Sequence, residues 1–296
     1  MDNLEKAKKV MKDLCPDYRP FYQSMVLGEG IEFDRKKRTV KFLPNKEINV
    51  NTSINDNPTS TMLNITIGGE KHSIEVFSIF QRMNADKLDG NPLIYAYKGQ
   101  QGWTFESDMD RRGLDEHFTA IAKKFVTLNK GSISVISPSD SPLNSHIAKK
   151  MKQINPSIII YGGIIEKMST DEILDLCYDV HSPFWKYYSG KDATNEYYIQ
   201  LESYLDDMDK NHSGTYARHF VKDKMMRNLI TQTMKLTTED DTVRKFACAS
   251  EDKDVIIIDD SISRGDTLRE MCTIILSQFN PKSITCLALL SSRRNP

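Results

Sequence analysis

The sequence has no long apolar run, no excess of charge of either sign and few cysteines. No apolar stretch approaches the ~20 residues that a helix needs to cross a bilayer, and the first fifteen residues lack the apolar core of a secretory signal peptide. Lys and Arg number 40 against 41 Asp and Glu, so we expect no general affinity for nucleic acid or for an anionic membrane. The composition therefore predicts a cytoplasmic protein whose binding sites are local.

The five cysteines form neither a Cys-x-x-Cys pair nor a group with histidine at the spacing of a zinc site. Their odd number and wide spacing favour reduced, mostly buried thiols over a disulfide framework. Apolar residues make up 39% of the chain and charged residues 27%, which is typical of globular proteins. A chain of 296 residues is long enough for two domains of the usual ~100–200 residues.

Alternation of apolar and polar residues dominates the first part of the chain and predicts antiparallel hairpins. We expect residues 1–130 to form a smaller β-rich N-terminal domain with flanking helices. Its expected helices and turns are an amphipathic helix at 3–14, turns at 34–38, 68–69 and 98–102, and a helix at 114–128.

From residue 131 onward, runs of β-branched residues alternate with helical patterns, which is typical of parallel strands covered on both faces. The predicted fold class is α/β, with residues 131–296 forming a parallel-sheet domain. The polar stretch 163–250 is expected to be a helical insertion over the carboxyl edge of that sheet. The expected elements are strands at 132–137, 157–161, 254–259 and 283–290, and helices at 142–153, 170–180, 195–209, 216–235 and 267–279.

The most informative stretch is DVIIIDDSISRGDT, in which an apolar strand runs into two adjacent acids. Ligands of open α/β sheets bind beyond the carboxyl ends of strands. Thr267 is expected to begin the next helix and to form a capping box with Glu270. A glycine-containing loop before a helix start suits a phosphate, whereas the carboxylates of Asp259 and Asp260 suit sugar hydroxyls or a magnesium ion. The pattern therefore predicts a site for a ribose phosphate.

Residues 255–267 resemble the signature of type I phosphoribosyltransferases that binds 5-phosphoribosyl-1-diphosphate (PRPP). The segment DDSISRGDT is especially similar to the loop of glutamine PRPP amidotransferases. The resemblance implies a phosphoribosyltransferase core that uses PRPP and Mg²⁺, with Asp259 and Asp260 as catalytic residues and magnesium ligands that hold the ribose hydroxyls. The PRPP-binding residues it implies in the loop are Ser261, Ser263, Arg264, Gly265, Asp266 and Thr267.

The likeness to the amidotransferases stops at this loop. Those enzymes begin with a nucleophilic cysteine and a glutaminase domain, whereas the first cysteine here, Cys15, lies in an apparent helix, so glutamine hydrolysis is not expected. No C-terminal hood is expected after the last strand either. The acceptor would then be recognised by the β-rich region or by the insertion.

A second anion site is predicted where the strand at 132–137 meets its helix, with Ser141 as N-cap and Pro142 as the first helical residue. If this strand neighbours the strand of the acid pair, the two helix starts flank one crevice. The family has its diphosphate loop at the matching place, which implies Ser139, Asp140 and Ser141 as ligand-binding residues. The loop lacks the basic residue and the glycine often found there, so a plain helix cap is the alternative.

A basic and aromatic segment of the insertion has two interpretations. It contributes to a loop that closes over PRPP, as the family usually has, or it is the solvated face of a helix. The residues concerned are Tyr216, Arg218, His219 and Lys222.

Two functions of different classes follow from these patterns. The first is an enzyme that transfers the phosphoribosyl group of PRPP to a small-molecule acceptor and releases diphosphate. The second is a non-catalytic PRPP- or nucleotide-binding regulator or effector that acts through a partner, as regulatory members of the family and related effectors of bacterial anti-phage systems do. PRPP synthesis is disfavoured, because those enzymes carry two such domains. A homodimer and a regulatory partner both stay open.

Overall fold

The computed structural model describes residues 30–43, 50–52, 58–82, 91–128, 133–139, 142–191, 194–211, 214–217 and 220–291. The strands of this part are β1 (Gly30–Asp34), β2 (Thr39–Leu43), β3 (Val50–Thr52), β4 (Thr59–Ile67), β5 (Glu70–Arg82), β6 (Thr104–Phe105), β7 (Ile133–Ile136), β8 (Ile159–Tyr161), β9 (Ile165–Lys167), β10 (Met234–Leu236), β11 (Asp254–Ile262) and β12 (Ser283–Ser291). Its helices are α1 (Asn91–Lys98), α2 (Asp108–Leu128), α3 (Leu143–Ile154), α4 (Thr170–Tyr178), α5 (Pro183–Tyr188), α6 (Thr194–Asn211), α7 (Lys224–Leu229), α8 (Asp240–Ser250) and α9 (Asp266–Gln278). The predicted helix at 3–14 lies outside the described residues.

Ten of these strands form one mixed sheet in the order β6-β2-β1-β3-β5-β12-β11-β7-β8, with β4 also paired to β5. The run from β5 to β8 is parallel throughout, whereas β1 to β5 pair mainly antiparallel. The protein is therefore a mixed α/β protein, as predicted. Strands from both sides of residue 130 belong to the same sheet, and the division into two domains stays a prediction.

The centre of the sheet is apolar on both faces because residues 255–258 of β11 form a continuous run of buried aliphatic side chains. Ile256 and Ile258 pack with α1, α2 and α3 on one face. Val255 and Ile257 pack with α8, α9 and the β9–β10 pair on the other face. A strand covered on both sides has no polar face, which is the pattern of a central parallel strand.

The insertion has a hydrophobic core of its own, to which α4, α5, α6 and α7 contribute. The helices predicted at 170–180 and 195–209 are confirmed as α4 and α6. The helix predicted at 216–235 is wrong: among the described residues of that range only α7 is helical, and the chain then enters β10, which pairs antiparallel with β9. This strand pairing joins residues about 70 positions apart and leaves no periodic trace in the local sequence.

The hairpin predicted around residues 98–102 is also wrong, because 91–98 is the helix α1. Pro92 lies in its first turn, Leu93 and Ile94 are buried, and Gly99 follows its last residue with φ +64°. The turns at 34–38 and 68–69 are confirmed, and α2 begins at Asp108, earlier than predicted. The other strands and helices expected after residue 131 are present, with ends shifted by at most three residues.

Two further features of the described residues concern the helices and the cysteines. None of the described helices combines the length and the apolar character that crossing a membrane requires. Of the four cysteines in the described ranges, Cys177, Cys272 and Cys286 are buried, Cys248 is exposed, and all four are free thiols.

Candidate functional site

The strand order of the parallel sheet reverses between β7 and β11. From β7 the chain passes to β8 on one side, and later to β11 and β12 on the other side. Such a reversal leaves a crevice beyond the carboxyl ends of the two strands, where α/β proteins bind ligands. The expectation that these strands are neighbours is confirmed, with Ile258 of β11 opposite Ile136 of β7. The loops that follow the two strands therefore open into the same crevice.

The acid pair lies inside β11, which continues to Ile262 rather than ending at Asp259 as predicted. Pairing with β12 extends the strand, since Asp259 lies opposite Ala288 and Ile262 opposite Ser291. Adjacent residues of a strand point to opposite faces, so the two carboxylates diverge. Asp259 turns towards β7, and Asp260 turns towards α1.

Asp259 is the more buried of the two acids, with 7% of its surface exposed. One carboxylate oxygen accepts hydrogen bonds from Ser137 Oγ at 2.7 Å and from the backbone N–H of Asp260 at 2.9 Å. Burial, together with the charge of the neighbouring Asp260, raises the pKa of Asp259 to about 7, although both hydrogen bonds oppose this rise. Asp259 is therefore a carboxyl group that titrates near neutral pH.

Ser137 is itself held by Asn144 in the first turn of α3. The Nδ2 group of Asn144 donates to Ser137 Oγ at 2.7 Å, and both residues are buried. A hydrogen-bonded chain therefore runs from α3 through the end of β7 to Asp259 on β11. Ser137 and Asn144 were not predicted from the sequence, although a serine that follows an apolar strand was a usable signal.

Asp260 forms an ion pair with Lys98, the last residue of α1. The two side chains are only 16% and 14% exposed, and Ser261 Oγ donates to the other oxygen of Asp260 at 2.8 Å. A cation at the carboxyl end of a helix also faces the negative end of the helix dipole. Lys98 was missed because its segment was predicted to be a hairpin turn.

The loop after β11 reaches α9 through Gly265, which is the N-cap residue and has φ +79°. This left-handed conformation is open to glycine and strained for other residues. The helix begins at Asp266, one residue before the predicted Thr267, and no side chain caps it. The first N–H groups of a helix have no acceptor within the helix, so this start can bind an anion.

The capping box predicted for Thr267 and Glu270 is wrong. The carboxylate of Glu270 instead accepts hydrogen bonds from Thr233 Oγ1 at 2.7 Å, from the N–H of Met234 at 2.6 Å and from the N–H of Thr233. Glu270 thus joins α9 to the segment that enters β10. The local spacing predicted that Glu270 would cap the helix start, but its side chain forms a long-range contact instead.

The remaining loop residues are more exposed. Arg264 is ion-paired with Asp266 at 3.1 Å and contacts Asn228 Oδ1 at 3.4 Å, and Arg269 also contacts Asp266 at 3.2 Å. Ser263 is exposed. The predicted loop residues 261–267 therefore lie together at the carboxyl end of β11.

The loop after β7 is only partly described. Ser139 is partly buried, whereas Asp140 and Ser141 lie outside the described residues. The helix α3 begins at Leu143, one residue later than predicted. Its N-cap residue is Pro142, and no side-chain hydrogen bond caps this helix start.

The basic and aromatic segment of the insertion does not come together as one described group. Tyr216 is buried in the core of the insertion and Lys222 is exposed. Arg218 and His219 lie outside the described residues.

The predicted magnesium site was tested against the donor groups that are present. In the described ranges, no three His, Cys, Asp or Glu side chains lie close enough to form a metal site. Magnesium is commonly bound by one or two carboxylates together with substrate phosphates and waters. Asp260 is the less buried of the two acids, but Lys98 and Ser261 engage both of its oxygens, so Asp260 would share such an ion only after Lys98 had moved away.

No protein-family model matches the chain, and no curated protein matches its sequence. The crevice between β7 and β11, with its acid pair and its uncapped helix, is therefore the feature from which a function can be inferred.

Proposed function

We propose that the protein is a phosphoribosyltransferase, which binds PRPP with magnesium at the crevice between β7 and β11 and transfers its phosphoribosyl group to a small-molecule acceptor. The observation that carries this proposal is the position of DDSISRGDT. The motif lies at the point where the strand order reverses. Its glycine, Gly265, is left-handed and leads into the uncapped start of α9.

The 5-phosphate would bind at the start of α9. Backbone N–H groups and the positive end of the helix dipole favour an anion there, and the hydroxyls of Ser263 and Thr267 are further donors. Gly265 has no side chain, so the phosphate can approach the backbone.

Asp260 would accept hydrogen bonds from the ribose hydroxyls, because its carboxylate lies at the crevice. Asp259 would act through Ser137, whose position also fixes the end of β7. In the reaction the bond from C1 to the diphosphate oxygen breaks and its electron pair leaves with the diphosphate, while an acceptor atom forms the new bond to C1. Positive charge develops on the ribose, and the carboxylate of Asp260 would stabilise it. Magnesium bound with PRPP would offset negative charge on the diphosphate.

Acceptor-dependent release of diphosphate tests this proposal. The full chain is incubated with PRPP and Mg²⁺, with and without a broad panel of purine, pyrimidine and other nitrogen acceptors. We expect release that needs an acceptor, and we expect Asp260→Asn to lower its rate by about 10²-fold or more, since a group that stabilises transition-state charge contributes effects of this size. The matched control is Asp241→Asn, an exposed position in α8, which keeps the wild-type rate.

A second function, PRPP or nucleotide sensing without catalysis, is favoured by one observation. The charge of Asp260 is already balanced by Lys98, and Asp259 is buried, so the site can hold a ligand without offering a free carboxylate. Tight binding of PRPP with no diphosphate release for any acceptor would replace the enzyme by such a regulator or effector. The partner would then be sought as a protein whose binding to this chain changes when PRPP is added.

A further inference from the structure

The diphosphate of PRPP carries several negative charges, yet the segment between β7 and α3 contains no Lys or Arg. Its sequence from residue 137 to 142 is SPSDSP. A phosphate group is normally held by charge-assisted hydrogen bonds from a cation. At this crevice the structure brings a cation from a distant part of the sequence, because α1 presents Lys98 to the acid pair.

We propose that Lys98 is the diphosphate-binding cation, and that its ammonium group moves from Asp260 to the diphosphate when PRPP enters. This proposal rests on the proposed function. Within it, α1 supplies the cation that binds the diphosphate. The same movement frees Asp260 to accept the ribose hydroxyls. One residue then couples the binding of the diphosphate to the binding of the ribose hydroxyls.

The position of Lys98 is fixed by the packing of α1. Leu93 and Ile94 are buried in the core on the α1–α3 face of the sheet, and Tyr97 contacts Asp115 of α2 at 3.3 Å. Gly99, in the left-handed conformation, ends the helix immediately after Lys98. The backbone of Lys98 is therefore anchored, while its flexible four-carbon stem lets the ammonium group move.

Lys98 lies next to the point where β7 and β11 end. It contacts Asp260 on β11, and β7 pairs directly with β11. The flexible stem of Lys98 therefore lets its ammonium group turn from the carboxylate to a diphosphate bound in the same crevice. A diphosphate carries more charge than one carboxylate, so it competes favourably for the ammonium group.

The burial of the pair also favours a functional role. Both side chains are more than four-fifths buried, and removing two charges from water costs about as much as their attraction returns. Such a pair is a weak source of stability. At the edge of a ligand crevice, the pair instead keeps an ammonium group in a position from which it can bind an anionic ligand.

The test compares two ligands that differ only in the diphosphate, PRPP and ribose 5-phosphate. Dissociation constants are measured by calorimetry with Mg²⁺ for the wild type and for Lys98→Met, which keeps the length of the side chain without its charge. We expect Lys98→Met to weaken PRPP at least tenfold and to leave ribose 5-phosphate no weaker than in the wild type. Lys98→Arg retains most of the PRPP affinity, and Lys245→Met, at an exposed pair in α8, is the control.

The outcomes separate the two levels of the proposal. Equal weakening of both ligands would assign Lys98 a structural role, and unchanged PRPP binding would also overturn the inference, while the proposed function stands in both cases. A wild-type protein that binds neither ligand would remove the proposed function as well. If thermal unfolding shows that Lys98→Met does not fold, Lys98→Gln supplies the uncharged variant and Lys98→Arg the charged one.

Discussion

Ser137 at the end of β7 donates a hydrogen bond of 2.7 Å to Asp259 of β11, across the two strands between which the strand order reverses. Both residues are buried, and Asn144 donates in turn to the same serine hydroxyl. The end of β7, the start of α3 and the ionisation of an acid on β11 therefore depend on one hydroxyl group.

Ser137→Ala tests this dependence. The substitution removes a hydrogen bond that lowers the pKa of Asp259 and leaves the Nδ2 group of Asn144 without its closest acceptor. Leaving buried polar groups unpaired typically costs about 1–3 kcal/mol, and we expect a loss of that size in urea unfolding. Ser157→Ala, at an exposed position, is the control and should unfold like the wild type; a similar midpoint for both variants would contradict the role of Ser137.

Asp259→Asn is expected to change how stability depends on pH. The unfolded carboxyl has a pKa near ~3.9, whereas the folded one is raised to about 7. Between these values the folded protein keeps a proton that the unfolded chain has lost, so the stability from this group is complete below about pH 4 and is lost as the pH rises through 7. The variant should therefore gain stability relative to the wild type between pH 5 and pH 8, by urea unfolding at several pH values. Asp241→Asn should run parallel to the wild type, and a parallel curve for Asp259→Asn would refute the assignment.

Gly265→Ala is expected to destabilise the loop at the start of α9. Gly265 has φ +79°, and the left-handed conformation costs a residue with a Cβ atom roughly 1–2 kcal/mol. The free energy of unfolding should fall by about that amount, and the affinity for PRPP should fall with it. Gly190→Ala is the matched control, because a Cβ atom there meets nothing within 4 Å and the residue is not left-handed. Equal effects of the two substitutions would show that the backbone of this loop is not specifically required.

Glu270→Ala is expected to loosen the segment that enters β10. Its carboxylate accepts three hydrogen bonds from Thr233 and Met234, and a hydrogen bond to a charged group contributes about 1.5–3 kcal/mol. Because Glu270 is only partly buried, water replaces part of this bonding when the carboxylate is removed. We expect a loss of about 2–3 kcal/mol, with faster hydrogen exchange of both backbone amides. Glu251→Ala, at an exposed site, provides the comparison, and unchanged exchange in Glu270→Ala would exclude the link between α9 and β10.

The central strands could be predicted from the sequence because their signal is local. The aliphatic run of β11 is buried on both faces, so it had to be a central strand. The ends of elements were less accurate. β11 extends through the acid pair only because β12 continues beside it to Ser291, and nothing in DDSI itself requires a strand.

The segment 91–98 shows why other parts could not be predicted by the same reasoning. Residues 93–97 are a continuous apolar and aromatic run, and the periodicity of so short a run does not distinguish a buried strand from a buried helix. The usable signals were Pro92 in a first turn and Gly99 after a last turn, which are typical of helix ends. With the helix missed, Lys98 was missed too, because only the folded sheet brings it to Asp260, 162 positions away in the sequence.

The order of the central strands has a consequence for how the protein folds during synthesis. In the described sheet, β12 lies between β5 and β11 and is the only strand that joins them. Neither strand can therefore complete its backbone pairing until residues 283–291 have left the ribosome. Until then the nascent chain presents two open strand edges, which are sites of aggregation. Holdase chaperones would act in that interval, and substitutions that weaken β12 should reduce the yield of soluble protein more than their effect on equilibrium stability suggests.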